Sequence, residues 1–133
     1  FQAELKDRFT LIEGLPPQSD LLIGAYKEAN LFVLPSVHEP FGIVMLEAWS
    51  AKLPAIASAV GGLKTLIRNG ENGFLFDPSD LASMKRAYFD ALDKKELIIE
   101  NAFKEVLDYY SWEAVTNQQL DFYKEVIYDF RKK

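Results

Sequence analysis

LFVLPSVHEPFGIVMLEAWSAKLPAIAS (Leu31–Ser58) decides the reading of this chain. LFVLPS is an apolar run stopped by Pro35. A strand without a polar face suits the interior of a parallel sheet better than a half-solvated one. PAIAS, from Pro54, is a second buried-strand candidate. Between them lie a loop, HEPFG, and a helix predicted over Ile43–Lys52. Strand, crossover helix, strand is the parallel βαβ unit.

The pattern extends in both directions. Upstream, FTLIEG (Phe9–Gly14) reads as a strand ending in a turn. LLIGAYKEA then approximates a helical face through Leu21, Leu22, Ala25 and Ala29, with Ser19 or Asp20 as cap. Downstream, GGLKTLI (Gly61–Ile67) reads as a glycine turn feeding a short helix. RNGENG is a pair of turns in which Gly70 and Gly73 can take positive φ. FLFDP is a short strand, and Ser79 or Asp80 caps the next helix. From Leu81 the period is helical: one helix through Leu81, Met84, Tyr88 and Leu92, and a second over Glu96–Tyr110. A third is capped by Ser111 and runs through Trp112, Val115, Leu120, Tyr123 and Ile127.

The predicted fold is α/β, a three-layer Rossmann-like parallel sheet with extra C-terminal helices over residues 81–133. About four strands can be counted, fewer than the ~5–6 usual in such sheets. Residues 1–133 are therefore expected to form a single but incomplete domain.

Composition narrows the function. The 133 residues are 49% hydrophobic, enough for a core. A net charge of −5 gives no reason to expect nucleic acid or an anionic membrane as partner. With no cysteine, thiolate zinc sites and cysteine nucleophiles are excluded, and one histidine cannot build a metal cluster. No apolar run reaches the ~20 residues of a membrane helix. A cytoplasmic location is the expectation.

The chemistry concentrates in HEPFGIVMLEAWS (His38–Ser50), where Glu39 precedes the helix and Glu47 lies within it. The pair can be read as a solvated fringe, a general acid/base pair, or a clamp for a polar ligand. The helix start supports the last reading. It falls at the carboxyl ends of the strands, where free N–H groups suit a diphosphate. Carboxylates on either side suit vicinal hydroxyls.

PSVHEPFGIVMLEAWS resembles the glutamate-x7-glutamate motif of retaining glycosyltransferases of the two-Rossmann-domain GT-B architecture, specifically family 4, also called group 1. Glycogen synthases and sucrose-phosphate synthases look similar here. YKEANLFVLPS, LPAIASAVGGL, NGENGFLFDPSD and YSWEAV resemble further family segments, in family order. The resemblance implies the C-terminal, donor-binding domain of such an enzyme. Glu39 would meet the transferred sugar and serve catalysis, and Glu47 would bind the ribose hydroxyls. The backbone amides of Phe41, Gly42, Ile43 and Val44 would meet sugar and diphosphate. His38, Gly61 and Gly62 would line or support the pocket. It also implies a UDP- or ADP-linked sugar as donor substrate, no metal or cofactor, and an N-terminal acceptor-binding domain as partner.

Departures are visible. Lys52 stands where the family usually carries Gly, and Lys64–Thr65 where many members carry Pro-Glu or Arg-Asp. Lys6 and Arg8 do not match the family's diphosphate-neutralising Arg and Lys, so the chain by itself is expected to be inactive. The rival expectation is a noncatalytic α/β scaffold or oligomerisation domain that retains the motif.

The remaining aromatics read as structural. Trp49, Phe74 and Phe76 are expected in the core, Phe41 as an anchor of its loop in the core, and Trp112 as a fastener of the last helix. The terminal aromatics Tyr109, Tyr110, Phe122, Tyr123, Tyr128 and Phe130 are expected to form an apolar surface that crosses to another domain or self-associates.

Overall fold

The computed structural model describes residues 8–132. Its centre is β2 (Ala55–Ser58), paired in parallel with β1 (Phe32–Leu34) on one side and β3 (Phe74–Phe76) on the other. Phe32 stands opposite Ala55, and Ile56 opposite Phe74. All four residues of β2 are buried, whereas β1 is only half-buried. The sheet therefore has three strands among the described residues, not four. FTLIEG forms no strand, and Phe9, Leu11 and Ile12 are exposed. A strand exists by hydrogen-bonding to a neighbouring edge, and this run pairs with no described strand although the outer edge of β1 is open. The expected full burial of LFVLPS fails for the same reason, because β1 has a sheet neighbour on one side only.

Helices cover both faces. Alternation along β2 sends Ala55 and Ala57 to one face, against Met45 and Trp49 of α2 (Ile43–Ser50) and Leu63 and Leu66 of α3 (Leu63–Leu66). The two small alanines make room for the indole. Ile56, Phe74 and Phe76 pack on the other face against Ala87 and Ala91 of α4 (Leu81–Asp93). α5 (Lys95–Glu105) wraps the body, placing Ile98 in one cluster and Ala102 in the other. The result is the helix, sheet, helix sandwich expected of a Rossmann-like domain.

Local signals set most element boundaries. α1 (Asp20–Glu28) starts at Ser19, whose Oγ accepts the Leu22 N–H, and α4 starts at Asp80, whose carboxylate accepts the Ala82 N–H. α2 ends two residues early. Lys52 comes after it at φ 57°, the left-handed position glycine occupies most easily, and its ammonium lies 4.6 Å from the Phe103 ring centre. Of the two turn glycines in RNGENG, only Gly70 has positive φ.

The predicted helix over Glu96–Tyr110 is α5 continued by a π-helical turn, Val106–Tyr110, closed by the Ser111 N–H bonding back to the Val106 carbonyl at 2.8 Å. On α4 the small Ala87 and Ala91 are buried on the sheet and Met84 packs beside them, while Leu81, Tyr88 and Leu92 remain exposed. α6 (Trp112–Arg131) is capped by Ser111 as expected but buries no residue. Trp112 is 88% exposed and fastens nothing among the described residues. Nor is any described helix long and apolar enough to cross a membrane.

Candidate functional site

The loop after β1 and the turn after β2 both lie at the carboxyl ends of the parallel strands, and they are joined. The Gly62 N–H donates to the Glu39 carbonyl at 2.9 Å. A Cβ on Gly61 would collide with that same carbonyl oxygen, and one on Gly62 with the Pro40 carbonyl. Gly61 also sits at φ +46°. The glycine pair is therefore a seat for the backbone of Glu39 and Pro40. Ser58, fully buried at the end of β2, adds a longer bond from its hydroxyl to the Leu34 carbonyl, 3.4 Å.

The Glu39 side chain turns back on its own loop. Its Oε1 accepts the N–H of Gly42 at 3.0 Å and of Phe41 at 3.3 Å. Two of the amides that the family resemblance assigns to the donor thus hold a carboxylate in this structure. The Ile43 and Val44 amides at the start of α2 have no partner among the described residues. Gly42 itself is buried at φ +101°, with Leu63 crowding the place of a Cβ. Phe41 is 43% exposed and meets Tyr110 edge-on at 5.9 Å, so it lies on the surface of its loop and does not anchor it in the core. His38 is exposed.

One turn along α2, Glu47 is exposed to solvent and receives the Tyr26 hydroxyl on Oε2 at 3.0 Å. Burial, then the hydrogen bond to Glu47, then the charge of Glu47 push the Tyr26 pKa up to about 12. The hydroxyl is therefore a standing donor at neutral pH. Both residues line a cleft of about 300 Å³ between α1 and α2, with Gln18, Leu22, Ile23 and Lys27. Each acid thus has one oxygen held by the protein, while its other oxygen has no hydrogen-bond partner among the described residues. Such an arrangement can accept hydroxyl donors from a ligand without first ordering the carboxylates.

Sequence reasoning does not single out Tyr26. A tyrosine in a helix reads as packing, and only its closeness to the Glu47 segment through the βαβ unit hints otherwise. It likewise misses the network under the late turns. There Arg68 grips the largely buried Glu105 with two bonds, 3.0 and 2.7 Å, and the Asn72 amide donates to the same carboxylate at 2.7 Å. The bond to Glu105 is the main cause that raises the Arg68 pKa. This network ties α5 to the turn before β3, away from the two acids.

The sequence profile of the family described as glycosyl transferases group 1 matches residues 2–105. An uncharacterised glycosyltransferase of Methanocaldococcus jannaschii is 39% identical over 108 residues, 79% of this chain and 28% of the relative. The structure of sucrose-phosphate synthase from Thermosynechococcus elongatus superposes with a TM-score of 0.79 at 31% identity, covering 96% of this chain and 32% of that one. Anabaena HepE, solved in complex with UDP and glucose, gives 0.64 at 27% identity, covering 76% of this chain and 28% of its own. The chain spans less than a third of the length of each of these proteins. The parallel sheet, the seated Glu39 loop and these likenesses agree: the chain belongs to the group 1 glycosyltransferases, in the C-terminal domain of their GT-B architecture.

Proposed function

We propose that this chain is the donor-binding part of a retaining glycosyltransferase that moves a hexosyl unit from a UDP- or ADP-linked sugar to a hydroxyl acceptor. The observation that carries this reading is the pair of half-anchored carboxylates flanking the start of α2. Glu39 offers its free oxygen to hydroxyls of the transferred sugar, and Glu47 offers its own to the ribose. The open Ile43 and Val44 amides, at the positive end of the helix, take diphosphate oxygens. The UDP complex of HepE lends support to a nucleotide ligand.

In the transfer, the bond from the anomeric carbon to the diphosphate breaks, and its electron pair leaves with the phosphate oxygen. The acceptor oxygen bonds to the same face and gives its proton to the departing phosphate oxygen. Stabilising the leaving diphosphate is electrostatic work. The family's Arg and Lys have no match in this chain, so the partner domain and a cationic pair complete the enzyme. The chain alone binds donor weakly at best and does not turn it over. The apolar outer face of α6 is the surface through which it meets that domain or, by itself, self-associates.

Titration with UDP, ADP and their glucose conjugates tests the reading. Saturable binding, weakened at least about tenfold by Glu47→Ala, supports it. No binding at millimolar ligand by a folded chain would favour a noncatalytic scaffold. Transfer or donor hydrolysis by the chain alone, suppressed in Glu39→Ala, would overturn the claim that it is inactive.

A further inference from the structure

The contact between Tyr26 and Glu47 joins α1 to α2 across 21 positions of sequence. α1 buries none of its residues, yet the Tyr26 ring is half-buried and lies against Phe32 of β1, with centroids 5.7 Å apart and planes tilted by 52°. The ring is thus fixed from the sheet side, and its hydroxyl is aimed along the cleft at one oxygen of an exposed acid. We propose that Tyr26 is a positioning residue that holds the Glu47 carboxylate in the orientation that accepts the vicinal hydroxyls of a ribonucleotide. This rests on the nucleotide reading above and assigns a residue to it.

The physical case is one of order. A solvent-exposed glutamate on a helix samples several rotamers and loses that freedom when it binds. Anchoring Oε2 selects one arrangement before the ligand arrives, so less order has to be created on binding. A carboxylate has about four lone-pair sites, and the phenol takes one. The rest remain for two hydroxyl donors. The competing role is a plain tie between α1 and α2, which would be indifferent to what the ligand's sugar carries.

Tyr26→Phe separates the two, since it keeps the ring on Phe32 and removes only the hydroxyl. The unsubstituted chain, Tyr26→Phe, Glu47→Ala and the double variant are titrated with UDP and ADP and with the 2′,3′-dideoxy form of each. Tyr26→Phe is expected to weaken the ribonucleotide about fivefold, the size of one hydrogen bond's contribution. It should leave the dideoxy form unchanged and add nothing in the Glu47→Ala background. Equal weakening of both forms, no weakening, or full additivity with Glu47→Ala overturns the assignment. If the unsubstituted chain prefers the ribonucleotide, Glu47→Ala abolishes the preference and Tyr26→Phe keeps it, only the role of Tyr26 falls. If neither nucleotide binds the unsubstituted chain, or it binds both forms alike, the nucleotide reading falls and this assignment with it.

Discussion

The Gly62 amide donates to the Glu39 carbonyl at 2.9 Å, so the turn after β2 holds the loop after β1. Two segments separated by a helix and a strand are one unit at the mouth of the sheet. Glycine is required at 61 by both φ and space, and at 62 by space.

Gly61→Ala should therefore cost more than an ordinary surface substitution. Left-handed backbone accounts for roughly 1–2 kcal/mol, and the collision with Glu39 adds to it. Urea unfolding should show the loss as a lower midpoint at unchanged slope. Gly62→Ala, without the unfavourable φ, tests the collision alone. A change under about 0.5 kcal/mol in both variants would mean the loop is not seated by these glycines.

Arg68 and Glu105 make a sharper test of polar burial. Removing the guanidinium with Arg68→Met leaves Glu105, 9% exposed, with Asn72 as its main partner. Arg68 is itself half-exposed, so the loss is expected at about 2 kcal/mol, below that of a fully buried pair. Arg68→Met with Glu105→Leu should recover most of it, because no unpaired charge then remains. Urea midpoints of the two single variants and the double variant give the coupling.

Trp49 is 1% exposed, and its indole N–H has no partner among the described residues. Trp49→Ala empties the space between α2 and the alanines of β2 and should destabilise by about 3–5 kcal/mol. Trp49→Phe gives up ring volume but no hydrogen bond, so roughly 1–2 kcal/mol is expected. Thermal unfolding of the two variants would show this order, and equal losses would point to a hidden acceptor for the indole.

Tyr26 should titrate late. Its ionisation moves from the ordinary 10.0 to about 12, with burial the main cause and the Glu47 bond and charge behind it. The shift is upward, so the stability it represents is complete below pH 10 and is lost as pH rises through about 12. The ultraviolet difference titration between the unsubstituted chain and Tyr26→Phe isolates this group. In Glu47→Gln, where the negative charge is gone, the titration should move down.

The sequence by itself determined what local rules can decide. Apolar runs broken by Pro35 and Pro54 marked β1 and β2, while Ser19, Asp80 and Ser111 started α1, α4 and α6. The order of these elements, with the family resemblance of HEPFGIVMLEAWS, pointed to the parallel sheet and to Glu39 and Glu47. Periodicity and capping act within a few residues, so they survive reading in one dimension. Only the tertiary structure decided the rest. FTLIEG has the composition of a strand but pairs with no described strand, and α6 has an amphipathic pattern but buries none of its described residues. Glu39 commits one oxygen to its own loop, and Glu47 commits one to Tyr26, 21 residues away. Those outcomes depend on which groups meet across the fold, and hydrogen bonds between distant elements leave no periodic trace in the chain.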